Sequence, residues 1–97
     1  METKYTWDKK KAKLNRQSHG VSFDQAVQVF SDPFMIVQEN ILDGNEQRYH
    51  AIGAIGSALL LLVVFVDRST PNVEIIHIIS ARQTERYERA IYEDQFQ

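Results

Sequence analysis

Arg48-Tyr49-His50-Ala51-Ile52-Gly53-Ala54-Ile55, then Gly56-Ser57, then Ala58-Leu59-Leu60-Leu61-Leu62-Val63-Val64-Phe65-Val66, is the stretch that decides the fold. In the first segment, alternation puts Arg48, His50 and Ile52 on one face of a strand and Tyr49, Ala51 and Gly53 on the other. Gly56-Ser57 fits a two-residue hairpin turn. The second segment is an uninterrupted apolar run, far short of the ~18–20 residues that cross a bilayer. It reads as a central strand buried on both faces.

Outward from this hairpin, Ser69-Thr70-Pro71-Asn72 turns the chain and Val73 to Ser80 returns as a further strand. On the other side, Phe34 to Gln38 is a candidate strand joined through a turn at Asp43-Gly44-Asn45. The sum is a meander of antiparallel neighbours. Before it, Lys4 to Trp7 is a short strand or an extended lead-in, and Asp8 caps a helix through Ser18 that Gly20 stops in a left-handed conformation. Ser22-Phe23-Asp24-Gln25 has capping-box form, with Val21 and Ala26 placed as a hydrophobic staple. The second helix has Phe23, Ala26, Val27 and Phe30 on one face, and Asp32-Pro33 ends it. Thr84 to Gln95 closes the chain as a helix with Tyr87, Ala90 and Ile91 on one stripe. The expected architecture is α+β: two N-terminal helices, an antiparallel meander sheet and a C-terminal helix, with helices packed on the sheet.

Ninety-seven residues at 43% hydrophobic content fit one domain, residues 1–97, without room for a separate cofactor domain. Cysteine is absent, so disulfides and thiolate-zinc sites are excluded, and a reducing cytoplasm is compatible. No apolar targeting core is visible at the N-terminus. The net charge of −2 hides an uneven distribution. Residues 1–19 hold six basic and two acidic side chains, 20–47 hold five acidic and no basic ones, and 48–97 hold five arginines against six acids. The first block offers either a phosphate-facing patch or a solvated helix face.

Neither a Gly-rich phosphate loop, a nucleophile elbow nor a His-Glu-x-x-His arrangement is present, and His19, His50 and His77 lack local metal-ligand spacing. Arginines and imidazoles remain. These suffice for RNA cleavage in which the ribose 2'-hydroxyl attacks its neighbouring phosphate: the substrate supplies the nucleophile, histidine suits the proton transfers and arginine forks suit the developing charge. Arg48 and His50 share a strand face, and an ion pair with Glu46 is the alternative use of Arg48. Ile78-Ile79-Ser80-Ala81-Arg82 sets an arginine at a strand-to-helix corner, suited to a phosphate or to holding Glu85 and nearby carbonyls. His19 sits with Gly20 at a helix C-terminus, where the dipole favours the protonated form; its alternative is C-capping. Lys11, Asn15 and His19 are spaced one helical turn apart, forming a stripe that binds RNA or bonds to the chain's own backbone. His77 alternates with Ile75 and Ile79, as a core or groove-edge residue.

Trp7-Asp8-x-x-Lys11-x-x-x-Asn15, His19-Gly20-Val21-Ser22-Phe23, Glu46-x-Arg48 and Ile78-Ile79-Ser80-Ala81-Arg82, in that order, resemble the BrnT family of toxins from Trp7 to about Tyr92. The resemblance implies a RelE-like fold and an endoribonuclease of the mRNA interferase kind, which inhibits translation and is held inactive by a co-expressed ribbon-helix-helix antitoxin. It further implies RNA as substrate, on or off the ribosome, and contact with operator DNA only through the antitoxin complex; no cofactor, metal or membrane is implied. It favours Arg48, Arg68, Arg82 and His19 as the catalytic set and Lys11, Asn15 and His50 as RNA contacts. A surface ion pair with Asp67 is the alternative for Arg68. Two departures stand out: Ser18 where the family usually has a lysine before its His-Gly pair, and His77 near where it often has an arginine. Both remove a fixed positive charge, which keeps open a second reading: a toxin fold with eroded chemistry that acts through antitoxin binding and transcriptional autoregulation.

Overall fold

The computed structural model describes residues 2–97, residues 40–43 by their backbone alone. Its elements are β1 (Glu2–Thr6), α1 (Lys9–His19), α2 (Phe23–Val27) running into a 3-10 turn (Gln28–Ser31), β2 (Ile36–Asp43), β3 (Glu46–Ile55), β4 (Leu59–Asp67), β5 (Val73–Gln83) and α3 (Arg86–Asp94). The expected meander is present as β2 to β5 in antiparallel succession. One addition changes its character: the N-terminal segment is a strand, and β1 lies parallel to β5, so the five-stranded sheet is mixed, in the order β1-β5-β4-β3-β2.

Local chemistry accounts for the helix boundaries. The Asp8 carboxylate accepts from the Lys11 amide at 3.1 Å, and Gly20, at φ 70°, ends α1 by donating to the Arg16 carbonyl at 2.9 Å. Ser22 and Gln25 form the reciprocal capping box, with the Gln25 amide reaching the Ser22 hydroxyl at 3.1 Å and the Ser22 amide reaching Gln25 Oε1 at 3.0 Å. The second helix is shorter than its apolar pattern suggests, because the chain tightens into the 3-10 turn after Val27. That turn presses against Gly53 of β3: a Cβ there would stand 2.7 Å from Val29 Cγ1.

Several boundaries differ from the alternation. Residues 33–35 turn rather than extend: the Phe34 amide is held by Asp32 Oδ1 at 2.9 Å and the Met35 amide by the Asp32 carbonyl at 3.1 Å, so β2 begins at Ile36. The β3–β4 loop spans three residues, Gly56 to Ser57 and Ala58, with Ile55 opposite Leu59 and Gly56 at φ 62°. The expected α3 stripe is corrected: Tyr87 is 62% exposed and Ala90 exposed, while Glu88 and Tyr92 are the buried residues, with Ile91 half-buried. Polar anchors described below orient this helix.

The two outer strands stop short of the far end of the sheet. β1 accompanies β5 only over Val73 to His77, and β2 accompanies β3 only as far as Ile52. Beyond those points side chains finish the edges. Asn15, 7% exposed, donates from Nδ2 to the carbonyls of Ala81 at 2.8 Å and Val21 at 3.0 Å, and its Oδ1 accepts from the Ala81 amide at 3.1 Å. Asp32 Oδ2 accepts from the Ala54 amide at 2.8 Å and from the Tyr92 hydroxyl at 2.7 Å, tying β3 to α3.

This narrow end carries the helices. On one face, Val21, Phe23, Ala26 and Val29 pack on Ala51, Leu61, Val63 and Ala81. On the other, Tyr92 and Ile91 of α3 cover Ile52, Leu60 and Leu62. At the wide end Phe30 of the 3-10 turn packs against Tyr5 and Phe65 on one face, and Arg48, His50 and His77 lie on the other.

Replacing Asn15 by Ala strands three backbone groups at a buried edge and is expected to lower stability by about 2–4 kcal/mol, read from urea midpoints. Gly53→Ala drives a methyl into Val29 and is expected to cost about 1–3 kcal/mol by the same measurement.

Candidate functional site

The register builds the site. Arg48 of β3 stands opposite Val66 of β4, which stands opposite His77 of β5, which stands opposite Thr6 of β1. One row on, His50 lies opposite Val64 and Val64 opposite Ser80; on the next, Ile52 lies opposite Leu62 and Leu62 opposite Arg82. These rows share the face on which α3 sits. Simple alternation would separate Arg82 from His77, but the register between β4 and β5 shifts at Val64/Phe65, leaving Ile79 as an extra residue. The shift brings Arg82 onto the face of His77, His50 and Arg48.

Two ion pairs frame this face. The Arg82 guanidinium forks onto Glu88 of α3, Nη1 to Oε1 at 2.8 Å and Nη2 to Oε2 at 2.9 Å, and also donates to the Gln83 carbonyl at 3.1 Å. Glu88 Oε1 accepts the Glu85 amide at 2.8 Å as well, so one carboxylate caps α3 and fixes Arg82. Arg68, just past β4, forks onto Glu46 at the start of β3 through contacts of 3.2 Å. Their environments differ: the Glu88 side chain is 3% exposed, whereas those of Arg68 and Glu46 are 46% and 49% exposed. An exposed pair contributes about 0–1 kcal/mol and is easily exchanged for another anion. Removing Arg82 from Glu88 would strand a buried charge. Arg82 is therefore a fixed cation and Arg68 an exchangeable one.

Burial pushes the His50 pKa below its ordinary value, Glu88 opposes that and Arg82 reinforces it. Burial likewise lowers His77, with Arg68 and Lys11 in the same direction and Glu46 and Asp8 against it. Thr6 Oγ1 lies 2.8 Å from His77 Nδ1, which directs the other ring nitrogen away from β1. Both imidazoles thus favour the neutral form beside arginines, the state that a proton acceptor requires.

Of the sequence-derived candidates, Arg48, Arg68, Arg82 and His50 come together on this face, and Lys11 at the start of α1 is close enough to act on His77. Asn15 does not join them: both its amide protons are taken by backbone carbonyls, the internal use that its stripe left open. His19 is exposed at the far end of α1, and none of the links described above extends to it. The ion-pair partners differ from those suggested by adjacency. Glu46 holds Arg68, Glu88 rather than Glu85 holds Arg82, and Asp67 accepts from the Ser69 amide at 2.9 Å. His77 and Glu88 were not placed in the site from the sequence. A capping-type spacing, Glu85 to Glu88, was the available signal for the second; a register was needed for the first.

Among the described residues no group of three or more His, Asp or Glu side chains is gathered to hold a metal ion, and no helix is long and apolar enough to cross a membrane. The family model described as the ribonuclease toxin BrnT of type II toxin-antitoxin systems matches residues 7–88. No curated protein sequence matches the chain. Among solved structures, the ribonuclease toxin BrnT of Brucella abortus is similar, with a TM-score of 0.63 at 21% identity, covering 89% of this chain and 100% of that one. At that identity the likeness is one of fold.

The Glu88 carboxyl is held below its ordinary pKa: burial acts to raise it, and Arg82 with the Glu85 amide outweighs that effect. The stabilisation is therefore complete above the ordinary carboxylate pKa of ~4.3 and is lost as pH falls through the depressed folded value. Glu88→Gln is expected to cost about 1–3 kcal/mol at neutral pH, with the gap from the parent closing in acid, as read by urea titrations across the pH range.

Proposed function

The chain belongs to the BrnT family of ribonuclease toxins of type II toxin-antitoxin systems, and on that premise we propose that it cuts RNA on the bare, cationic end of its α3 sheet face. The observation that carries this reading is the convergence of Arg48, His50, His77 and Arg82 from β3 and β5 onto one face, with Arg68 at its border. The proposed unit is a single RelE-like domain. Its proposed setting is the cytoplasm, where a mRNA interferase-like activity inhibits translation until a ribbon-helix-helix antitoxin neutralises it, operator DNA being bound only by the complex.

In the proposed reaction Arg48 and Arg68 hold the scissile phosphate, Arg68 exchanging its Glu46 partner for a phosphate oxygen at little cost. Arg82, pinned by Glu88, supplies fixed positive charge where the phosphorane-like transition state gains it. A neutral imidazole, His50 or His77, takes the proton of the 2'-hydroxyl as its oxygen bonds to phosphorus. The phosphorus–5'-oxygen bond breaks, and the leaving oxygen takes up a proton, so a 2',3'-cyclic phosphate and a 5'-hydroxyl result. None of these steps requires a metal. Lys11 extends the cationic surface along α1.

One observation favours the second reading, antitoxin binding without cleavage: Arg68 and Arg82 already hold carboxylates. Incubation of the antitoxin-free protein with labelled single-stranded RNA, and with ribosome-bound message, in the presence of chelator separates the two. Cleavage by the parent, reduced about 100-fold or more by Arg48→Ala in protein with an unchanged melting curve, is expected; no cleavage on either substrate selects the binding reading. With a lowered histidine pKa the base form is present at neutral pH and is lost on acidification. The cleavage rate is expected to fall on an acidic limb with an apparent pKa below ~6.5, and that limb should vanish from the residual activity of whichever of His50→Gln or His77→Gln removes the base.

A further inference from the structure

The opposite face of the same wide end is a groove of 480 Å³ floored by aromatic rings. Phe30 of the 3-10 turn sits with its centroid 5.4 Å from Tyr5 and 5.2 Å from Phe65, and Tyr49 stacks on Phe65 at 5.4 Å. Val37 on the outer strand β2 walls it and is 45% exposed. The rim is acidic. Asp67, kept ionised by the Ser69 hydroxyl and amide, and Glu74, which accepts from Thr3 Oγ1 at 2.7 Å, border it, and among the described residues that line it none is basic.

An aromatic floor is a platform for flat or aliphatic groups, and the charge of the rim decides which. RNA is repelled by two carboxylates with no compensating cation. A second copy of this chain, offering exposed Leu14 among the lysines of α1, has matching chemistry, but the partner that family membership brings is an antitoxin, and a second copy is an outcome that the test below distinguishes. We propose that the groove between β1, the 3-10 turn and β2 is a docking site for the antitoxin, and that it receives a segment whose apolar side chains are flanked by Lys or Arg. Apolar contacts with Tyr5, Phe30, Tyr49 and Phe65 anchor that segment, and Asp67 and Glu74 select and steer it. Docking here leaves the cationic face to a different part of the partner, so anchoring and neutralisation are separable functions on the two sides of one sheet.

The inference rests on the antitoxin partner that family membership brings and not on the cleavage chemistry, so either can fail without the other. The test titrates the full-length antitoxin co-expressed from the same locus into the free protein by calorimetry, comparing the parent with Glu74→Lys, Val37→Lys and the conservative Glu74→Gln. Val37 and Glu74 are exposed, and unchanged melting curves would certify the fold. Each lysine variant is expected to weaken antitoxin binding about tenfold or more, Glu74→Gln by less, and the loss should deepen at low salt while RNA cleavage by the free protein stays at the parent level. Unchanged antitoxin affinity in the lysine variants would overturn the proposal. So would a shift confined to RNA affinity, or to the oligomeric state of the free protein measured by light scattering, since these identify RNA or a second copy as the occupant.

Discussion

Side chains take the place of missing strands at one end of this sheet, and the rest of the structure depends on that substitution. β5 and β3 run on past the strands that flank them, and each leaves backbone groups that water cannot reach once helices cover the faces. The Asn15 amide closes one edge by presenting a donor and an acceptor to Ala81, as a neighbouring peptide would, while also holding Val21. Asp32 closes the other: its Oδ2 accepts from both the Ala54 amide and the Tyr92 hydroxyl, while Oδ1 holds the Phe34 amide. Burial and this carboxylate push the Tyr92 pKa up to about 12. α1 and α3 are thereby fixed at the same end of the sheet on opposite faces, and at the five-stranded end it is Phe30 of the 3-10 turn that packs on Tyr5 and Phe65.

The five-stranded end has opposite electrostatic character on its two sides. Strand alternation sends Arg48 and His50 one way and Tyr49 the other, Arg68 one way and Asp67 the other, His77 one way and Ile76 the other. A chain of net charge −2 can thus present a cationic surface suited to phosphates and, through the thickness of one sheet, an acidic aromatic groove that repels them. Neither surface is visible in the overall charge.

The arginines of the cationic face are graded by solvation rather than by proximity to acids. Arg68 and Arg82 hold carboxylates through forked contacts of similar geometry, yet the depth of the carboxylate separates them. Glu88 is buried beneath α3 and bonded to a helix-start amide, so Arg82 is an immobile part of the scaffold. Glu46 is open to water, and its hold on Arg68 competes with any anion that arrives. The same reasoning explains the orientation of α3. Among the described residues, Ile91 and Tyr92 give α3 its apolar contact, and the Arg82–Glu88 pair and the Tyr92–Asp32 bond turn the helix, so that Tyr87 and Ala90 face outward.

Elements with local causes were legible in the amino-acid order. Asp8 and Gly20 bracket α1, Ser22 and Gln25 open α2, and the apolar run through Phe65 is a central strand, because caps, turns and burial patterns act over a few residues. The amino-acid order also carried the family resemblance, and with it Arg48, Arg68 and Arg82 as residues to follow. Which of the signature residues lie together follows from the sheet register and the docking of the helices. Asn15 parts from Lys11 because its partner, Ala81, lies 66 residues away in the chain; His19 is set apart because it stands at the opposite end of α1 from Lys11. His77 and Arg82 share a face only because of one extra residue at Ile79, and a bulge reverses alternation without any mark in composition or periodicity. Pairing of Glu46 with Arg68 and of Glu88 with Arg82 depends on register and helix docking, which are set by the packing of the whole chain.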